Sequence, residues 1–594
     1  MRRKHKGIWY STNWQEYFER ARALGLALLQ DGLQRGDVIA VLAENRPEWL
    51  YADMGAQCVG VLGNGIYPTS SAEQVRYALV DSGARILFVE NEEQLDKALA
   101  IRAQCPRLQK IVFMDDKGLR LFSDAHVLRF ADYLAAGQAL VANGAEDFDA
   151  AISSGKGNDI AFLVYTSGTT GAPKGAMISN ANLMYQIGVV PSYASLAVGD
   201  KTLSFLPLCH IAERMTSMFN PLATGQIVHF PENSGTVFND LREVAPHLVF
   251  GPPRFWEKLY AQTELFMQDA IAPARRTYRM AFADGTAVAN ARLDGKPLPA
   301  HQALRFAMLG QFALANIKEA LGLQNVRSAL TGAAPVPPDL LRWYMAIGID
   351  LREAFGMTET CGFCTATPAD RIKIGYAGVK APGTDIRIAA DGEVLVRGPN
   401  VFAGYWNLPE KTAAAIDKDG WLHTGDAGEI DRDGYLKITD RMKDIIITSG
   451  GKNISPSSIE SLLKFSPYIS DAMVIGEGRN YLTALIMIDQ DTVSKFAQDA
   501  HVPFTDFASL TRKEQVRDLI RGTIEAVNAK LARVEKVKDF RIIEDLLTAE
   551  DEELTPTMKL KRRVVARRHA GLISSMYENA SAVSASVPVE RIRT

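Results

Sequence analysis

Cysteine is scarce in this 594-residue chain: Cys58, Cys105, Cys209, Cys361 and Cys364 are the full complement. So low a count excludes a disulfide framework and points to a reducing compartment. No apolar run approaches the roughly 18 residues that a membrane span needs, and the basic start MRRKHK has no apolar segment behind it, so neither a spanning helix nor a secretory signal is expected. Charge of one sign is also lacking. Sixty-six basic against 69 acidic residues leave a formal charge of -3, which removes the electrostatic case for nucleic acid as a partner. Internal repeats and low-complexity tracts are missing as well. What is present, 47% apolar and 23% charged residues, is the composition of a globular protein, and 594 residues exceed what one core organises, so at least two domains are expected. The expected location is cytoplasmic, with peripheral contact at the inner face of a membrane left open.

Near the amino end, Trp14, Tyr17, Phe18, Ala21, Leu24 and Leu28 recur at helical spacing, behind Thr12 and Gln15 as a capping-box pair and before Gly32 as a stop. Buried strand runs follow at Val38–Leu42 and Ile86–Val89, and this alternation predicts an α/β fold with mostly parallel sheets. Residues 270 to 320, rich in Ala, Arg, Leu and Gln, read as helical. From about 420 to 460 the texture changes to short apolar strands between Gly/Asp turns, and DAMVIGEGRNYLTALIMID reads as two strands around a polar turn. Val516, Leu519, Ile520, Ile524, Val527 and Leu531 mark an amphipathic helix. The expected organisation is a large domain over 1–440, of layered, mostly parallel sheets and helices, and a small mobile α+β domain over 441–594.

Behind the apolar run Ile160, Ala161, Phe162, Leu163 and Val164 stands YTSGTTGAPKGAMI. Gly168 and Gly171 let backbone N–H groups converge on an anion, Thr166, Ser167, Thr169 and Thr170 add hydroxyls, and Lys174 adds a mobile positive charge. Polyphosphate fits that inventory; so, on composition alone, does a plain Gly/Ser/Thr surface turn. A G-x-x-x-x-G-K-[ST] loop is excluded, because Pro173 occupies the position of its second Gly and Gly175 follows the Lys.

Eight segments then fall in a fixed order: YTSGTTGAPKGAM, LPLCHIAERM, TGAAPV, EAFGMTET, GYWNLPE, GWLHTGDAGEID, DRMKDIIITSGGKNISP and LTPTMKLKRR. This series resembles the adenylate-forming superfamily of acyl-CoA synthetases, luciferases and peptide-synthetase adenylation domains, and within it the long-chain fatty acyl-CoA synthetase branch. The resemblance implies an enzyme that activates a fatty acid with ATP and Mg²⁺ as acyl-AMP, releases pyrophosphate, and passes the acyl group to coenzyme A. Two alternatives stay open: delivery of the acyl group to a carrier protein, and a nucleotide- or lipid-binding protein without catalysis. Oligomeric state and acyl length are not readable.

The resemblance also implies roles. Thr166 to Gly171 and Lys174 would cover the β- and γ-phosphates. Gly332, Ala333 and Ala334 would line the adenine slot, Phe355 would stack on adenine, Thr358 would meet the α-phosphate, and Glu359 would help hold Mg²⁺. Asp426 would accept from the ribose hydroxyls, with Ile438 and Arg441 at the same nucleotide. Lys443 falls at the hinge position. Lys559 is the adenylation lysine, with Lys561 nearby as the other register and Met558 where most relatives have Gly. Gly450 and Gly451 would approach the thiol entrance after the small domain turns.

His210, in LPLCH, would lie near the acyl carboxylate. Cys361 and Cys364 form a C-x-x-C that, with Cys209 and His210, could make a metal site; its place after MTET favours a helix start instead. Trp256 in RFWEKLY adds to the fatty-acid texture. The basic stretch from Lys559 to Arg568 could face solvent or lipid. Relatives carry some forty residues before the segment that begins here at Gly7, so a leading helix is expected to be short or missing.

Overall fold

The computed structural model describes residues 1–166, 172–548, 551–555 and 559–584. Its first helix, Trp14–Gln30, buries Tyr17, Ala21, Leu24 and Leu28, as the periodicity predicts. The cap is shifted by one residue: Asn13 accepts from the Glu16 N–H, and Glu16 returns the bond to the Asn13 N–H. Thr12 is diverted because its hydroxyl lies against Tyr51 Oη and Arg20 Nη1, both at 3.3 Å. Gly32 follows the helix with a left-handed φ of 74°, which only glycine adopts without strain.

The strands Val38–Leu42 and Ile86–Val89 are buried at every position and pair in parallel in an eight-stranded sheet. Fully buried parallel strands have no polar face, so continuous apolar runs are what this environment selects. Ile160–Thr166 joins the same sheet, parallel to Leu62–Ile66 and antiparallel to Lys174–Ser179. A nine-stranded sheet carries Ser328–Thr331 parallel to Leu351–Met357, and a four-stranded antiparallel sheet carries Leu422–Ile430 against Leu436–Arg441. The chain leaves this last sheet at Arg441.

Beyond it, Ile469–Ile475 and Leu482–Ile488 form an antiparallel pair, with Val537–Ile542 added in parallel. Helix Glu514–Asn528 covers them with Val516, Ile520, Ile524 and Val527. Asp440, buried at the junction, accepts from the hydroxyls of Ser455 and Ser457 and from the Ser457 N–H, which ties the end of one sheet to helix Pro456–Lys464.

One expectation is corrected. Cys361 does not begin a helix: Thr358–Thr360 is a single 3-10 turn, Cys361 is left-handed (φ 53°), and Gly362–Ala366 is a strand antiparallel to Leu351–Met357. Trp256 is a core residue, fully buried with its indole N–H on the Gly251 carbonyl, and it fixes helix Pro253–Asp269.

One charged pair is sealed in the large core. Arg214 Nη2 lies 2.5 Å from Asp53 Oδ1, both side chains have no exposed surface, and the guanidinium lies over Trp49 and Phe162. Gly63 makes room for it, since a Cβ there would stand 1.7 Å from that carboxylate oxygen. Removing Asp53 strands a buried cation, so Asp53→Ala is expected to destabilise the large domain by about 3–5 kcal/mol, whereas the paired change Asp53→Leu with Arg214→Met costs much less. Thermal unfolding of the three proteins checks this.

Candidate active site

In sheets with parallel strands, ligands bind beyond the carboxyl ends, and three strand ends meet here. Ile160–Thr166 delivers Thr166 opposite Lys174; Ser328–Thr331 delivers Gly332 to Ala334; Leu351–Met357 delivers Phe355, then Thr358 and Glu359. Ser167 to Gly171 lie outside the described residues. The strands come close because glycine lets them: a Cβ on Gly356 would stand 2.0 Å from the Gly362 carbonyl oxygen, and one on Gly332 would stand 2.6 Å from that of Ala354. Ala333 takes a left-handed φ of 69°, a strained choice for a residue with a Cβ.

Its carbonyl is what Lys559 reaches. Nζ of Lys559 donates to Ala333 O at 2.6 Å, and on the backbone Thr555 N–H bonds Lys559 O while Thr555 Oγ1 accepts from Lys559 N–H. The side chain keeps exposed surface while protein surrounds it, which is the situation of a lysine in an open cleft. Desolvation there, helped by Arg441 and opposed by Asp426, pulls its pKa down to about 8. Lys561 instead precedes helix Arg562–Arg568, with its N–H on Glu553 O. Part of the basic stretch is taken up inside the lobe: Arg562 pairs with Glu460, Arg568 with Glu553, and Val565 is buried, while Arg563 and Arg567 are exposed.

Asp426, almost fully buried, accepts at Oδ1 from Arg441 Nε at 2.7 Å. Burial raises its pKa, and Arg441 and Lys559 hold it down. Arg441 stands directly across the strand pair from Asp426, and Ile438 packs against the same apolar cluster as Phe355. Glu359 is buried with Oε1 accepting from Tyr405 Oη at 2.7 Å, and Lys174 lies 3.9 Å over the Tyr405 ring. Burial lowers the Lys174 pKa while Glu359 raises it. Oε2 of Glu359 has no protein hydrogen-bond partner among the described residues. Tyr405 is the residue that sequence reasoning passed over; GYWNLPE had signalled it without giving it a role.

His210 accepts the Ala212 N–H at Nδ1, which leaves Nε2 to carry the proton of the neutral ring. Burial first, and the Lys559 charge second, push its pKa down to about 4. Cys361 and Cys364 are free and fully buried, and burial pushes both thiols up to about 12, so neither supplies a thiolate. The lowered pKa of Lys443 answers to desolvation first, then to Arg441. Gly450 and Gly451 do not join the site: their turn bonds Thr448 to Lys452 and Ser449 to Arg479. Two further contacts hold the lobe that carries Lys559 against the sheets. Tyr260 stacks on Phe465 at 5.0 Å and 7°, and Lys464, which pairs within the lobe with Asp471 at 3.8 Å, also feels the charge of Glu257 across the junction.

Residues 2–406 match the family described as AMP-binding enzyme, and residues 443–581 match the AMP-binding enzyme C-terminal domain. The long-chain-fatty-acid–CoA ligase FadD15 of Mycobacterium bovis is 34% identical over 576 residues, covering 96% of this chain and 93% of that protein. The long-chain-fatty-acid–CoA ligase ACSBG1 of Homo sapiens is 31% identical, covering 97% and 82%. Among solved structures, the A-PCP didomain of carboxylic acid reductase from Segniliparus rugosus in complex with AMP superposes with a TM-score of 0.74 at 20% identity, over 97% of this chain and 77% of that one. The anthranilate CoA ligase AuaEII in complex with anthranoyl-AMP gives 0.69 at 20%, over 94% and 92%. At such identities these two likenesses speak for the fold.

The coupling of Lys559 and His210 is directly measurable. In Lys559→Ala the His210 pKa, read by NMR of the ring, is expected to rise from about 4 toward its ordinary 6.5 without reaching it, because burial is the larger cause. An unmoved value would mean that the two groups do not share a cleft.

Proposed function

The chain belongs to the AMP-binding enzyme family, and from that premise we propose that it is an ATP-dependent fatty acid–CoA ligase acting on long- or medium-chain acids. It joins the carboxylate to AMP with release of pyrophosphate and then transfers the acyl group to the thiol of coenzyme A. The observation that carries this reading is the Lys559 ammonium in the cleft beside Ala333, Asp426 and His210, in a chain related over nearly its whole length to fatty-acid–CoA ligases.

When the carboxylate attacks the α-phosphorus, negative charge grows on the oxygens between acyl group and phosphate. Lys559 stabilises that charge in a poorly hydrated site, where a fixed cation counts for more than it does in water. Neutral His210 can donate from Nε2 and hold the carboxylate without competing with Lys559 as a second cation. Phe355 stacks on adenine beside Gly332, Ala333 and Ala334. Arg441 occupies one oxygen of Asp426 and orients the other toward the ribose, with Ile438 packed behind. Thr166, Lys174 and the Ser167–Gly171 segment receive the leaving pyrophosphate, and Thr358 meets the α-phosphate.

Glu359 fits a Mg²⁺ site: a buried carboxylate with one oxygen fixed by Tyr405 and the other without a hydrogen-bond partner among the described residues, where substrate phosphates would complete the oxygen shell. Bound Mg²⁺ supplies charge neutralisation on the phosphate oxygens. After pyrophosphate leaves, Lys443 serves as the hinge about which the small domain turns, withdrawing Lys559 and presenting Gly450 and Gly451 to the thiol.

Fatty-acid-dependent exchange of labelled pyrophosphate into ATP, followed by thioester formation from free coenzyme A, is the direct test. Lys559→Ala is expected to lower exchange by at least about a hundredfold while sparing thioester formation from supplied acyl-AMP. Exchange without a thioester would favour a carrier-protein acceptor, and no exchange at all would favour a binding protein. The same pair of assays reads the lobe contact: Phe465→Ala is expected to slow exchange more than thioester formation, and Phe465→Tyr to restore it.

A further inference from the structure

Six of the large apolar side chains that the fold leaves exposed fall in one short stretch: Phe266, Ile271, Met280, Leu304, Met308 and Phe312. Helix Ala300–Leu309 carries Leu304 and Met308, and the π-helical turn Gly310–Leu314 that continues it carries Phe312. Phe306 turns inward, with its ring against Gly285, and Arg305 pairs with Asp284, so this helix folds back along Ala272–Leu293. Leu304, Met308 and Phe312 are spaced by four residues, so they share one face, opposite Phe306. Their exposures of 64, 57 and 75% make that face an apolar stripe on the outside of the molecule, where packing gives it no partner.

The charge around the stripe is as one-sided as its apolarity. Between residues 271 and 312 the sequence has six Lys or Arg and two Asp, in a chain whose net charge is -3. Both aspartates are paired, Asp284 with Arg305 and Asp294 with Lys296. Arg275 reaches only the Gln268 carbonyl, at 3.4 Å, and Arg276 and Arg279 have no partner among the described residues. Exposed apolar side chains beside free guanidiniums match a surface that offers acyl chains below and negative charge above. A second copy of the chain fits less well, because it would bring the same unpaired arginines toward each other. No helix among the described residues is long and apolar enough to cross a membrane, so the contact is with the surface.

We propose that the outer face of helices Ala272–Leu293 and Ala300–Leu309, with the turn Gly310–Leu314 that continues the second, docks on an anionic lipid bilayer, with Leu304, Met308 and Phe312 entering the headgroup–acyl boundary and Arg275, Arg276 and Arg279 meeting lipid phosphates and carboxylates. The inference is independent of the ligase reading, and its test uses no turnover. The full chain is mixed with vesicles of phosphatidylcholine alone, or of phosphatidylcholine with phosphatidylserine, and sedimented. Binding to the second and not the first, weakened by salt, is expected. Replacing the three arginines by glutamine should lower the partition coefficient on the order of a hundredfold, at roughly fivefold per charge.

Phe312→Trp, a change at an exposed site, should give a blue-shifted emission with the anionic vesicles, and adding the three arginine changes to it should abolish that shift. Circular dichroism and melting temperature should match wild type in every variant, which separates lost docking from lost folding. Equal binding to both vesicle types, binding unaffected by the arginine changes, or an emission from Phe312→Trp that the anionic vesicles leave unshifted would each overturn the proposal. So would sedimentation without lipid showing an oligomer that the same changes dissociate, since the face would then be an interface between copies.

Discussion

The cleft depends on one cation kept where water is scarce. A lysine in solvent would contribute little to a transition state; at Lys559 desolvation has already been met by the fold, so the ammonium is ready to gain from any negative charge that develops beside it. Its neighbours follow from that. His210 stays neutral because burial, and after it the Lys559 charge, disfavours the imidazolium, and Asp426 stays ionisable despite burial because Arg441 and Lys559 face it. The strained carbonyl of Ala333 gives Lys559 an anchor and no counter-ion, so its charge is directed and not cancelled.

A cation in this position is held from two sides. Parallel strands of two sheets bring Thr166, Gly332 and Glu359 to the same cleft by ending there, while Lys559 arrives on the lobe beyond Arg441. Tyr260 on Phe465 is the apolar part of that approach: Phe465 is the single described residue beyond Arg441 that packs on the core around Trp256 and Tyr344. The ion pairs Lys495–Asp269 and Lys530–Asp339 lie at the surface and add little. Contacts this limited are compatible with the proposed turn of the small domain between half-reactions.

Where a single physical demand dominated, the sequence could be read. Val38–Leu42 and Ile86–Val89 were legible because strands buried on both faces admit only apolar residues, and helix Glu514–Asn528 because its buried side chains repeat at helical spacing. The first helix was found but its cap was displaced, since Thr12 and Asn13 can both cap and a tertiary contact with Tyr51 decided between them. Cys361 was misread because the turn after MTET is set by pairing between Leu351–Met357 and Gly362–Ala366, a tertiary demand that leaves no local mark. The small aromatic shell around Glu359 was illegible for a similar reason: Tyr405 lies 46 residues away and gains its meaning only from the hydrogen bond. The basic run at Lys559 shows the opposite case, a stretch that looks wholly solvated although Glu460, Glu553 and the cleft take Arg562, Arg568 and Lys559.

The measurement that bears most directly on this account is a crystal structure with an unreactive acyl-sulfamate mimic of the fatty acyl adenylate. The account predicts the Lys559 ammonium within hydrogen-bond distance of the oxygens that join acyl group and nucleotide, the ribose on Asp426 and the base against Phe355. A mimic bound away from these residues, or bound among them with Lys559 turned out to solvent while the lobes keep their present arrangement, would contradict it.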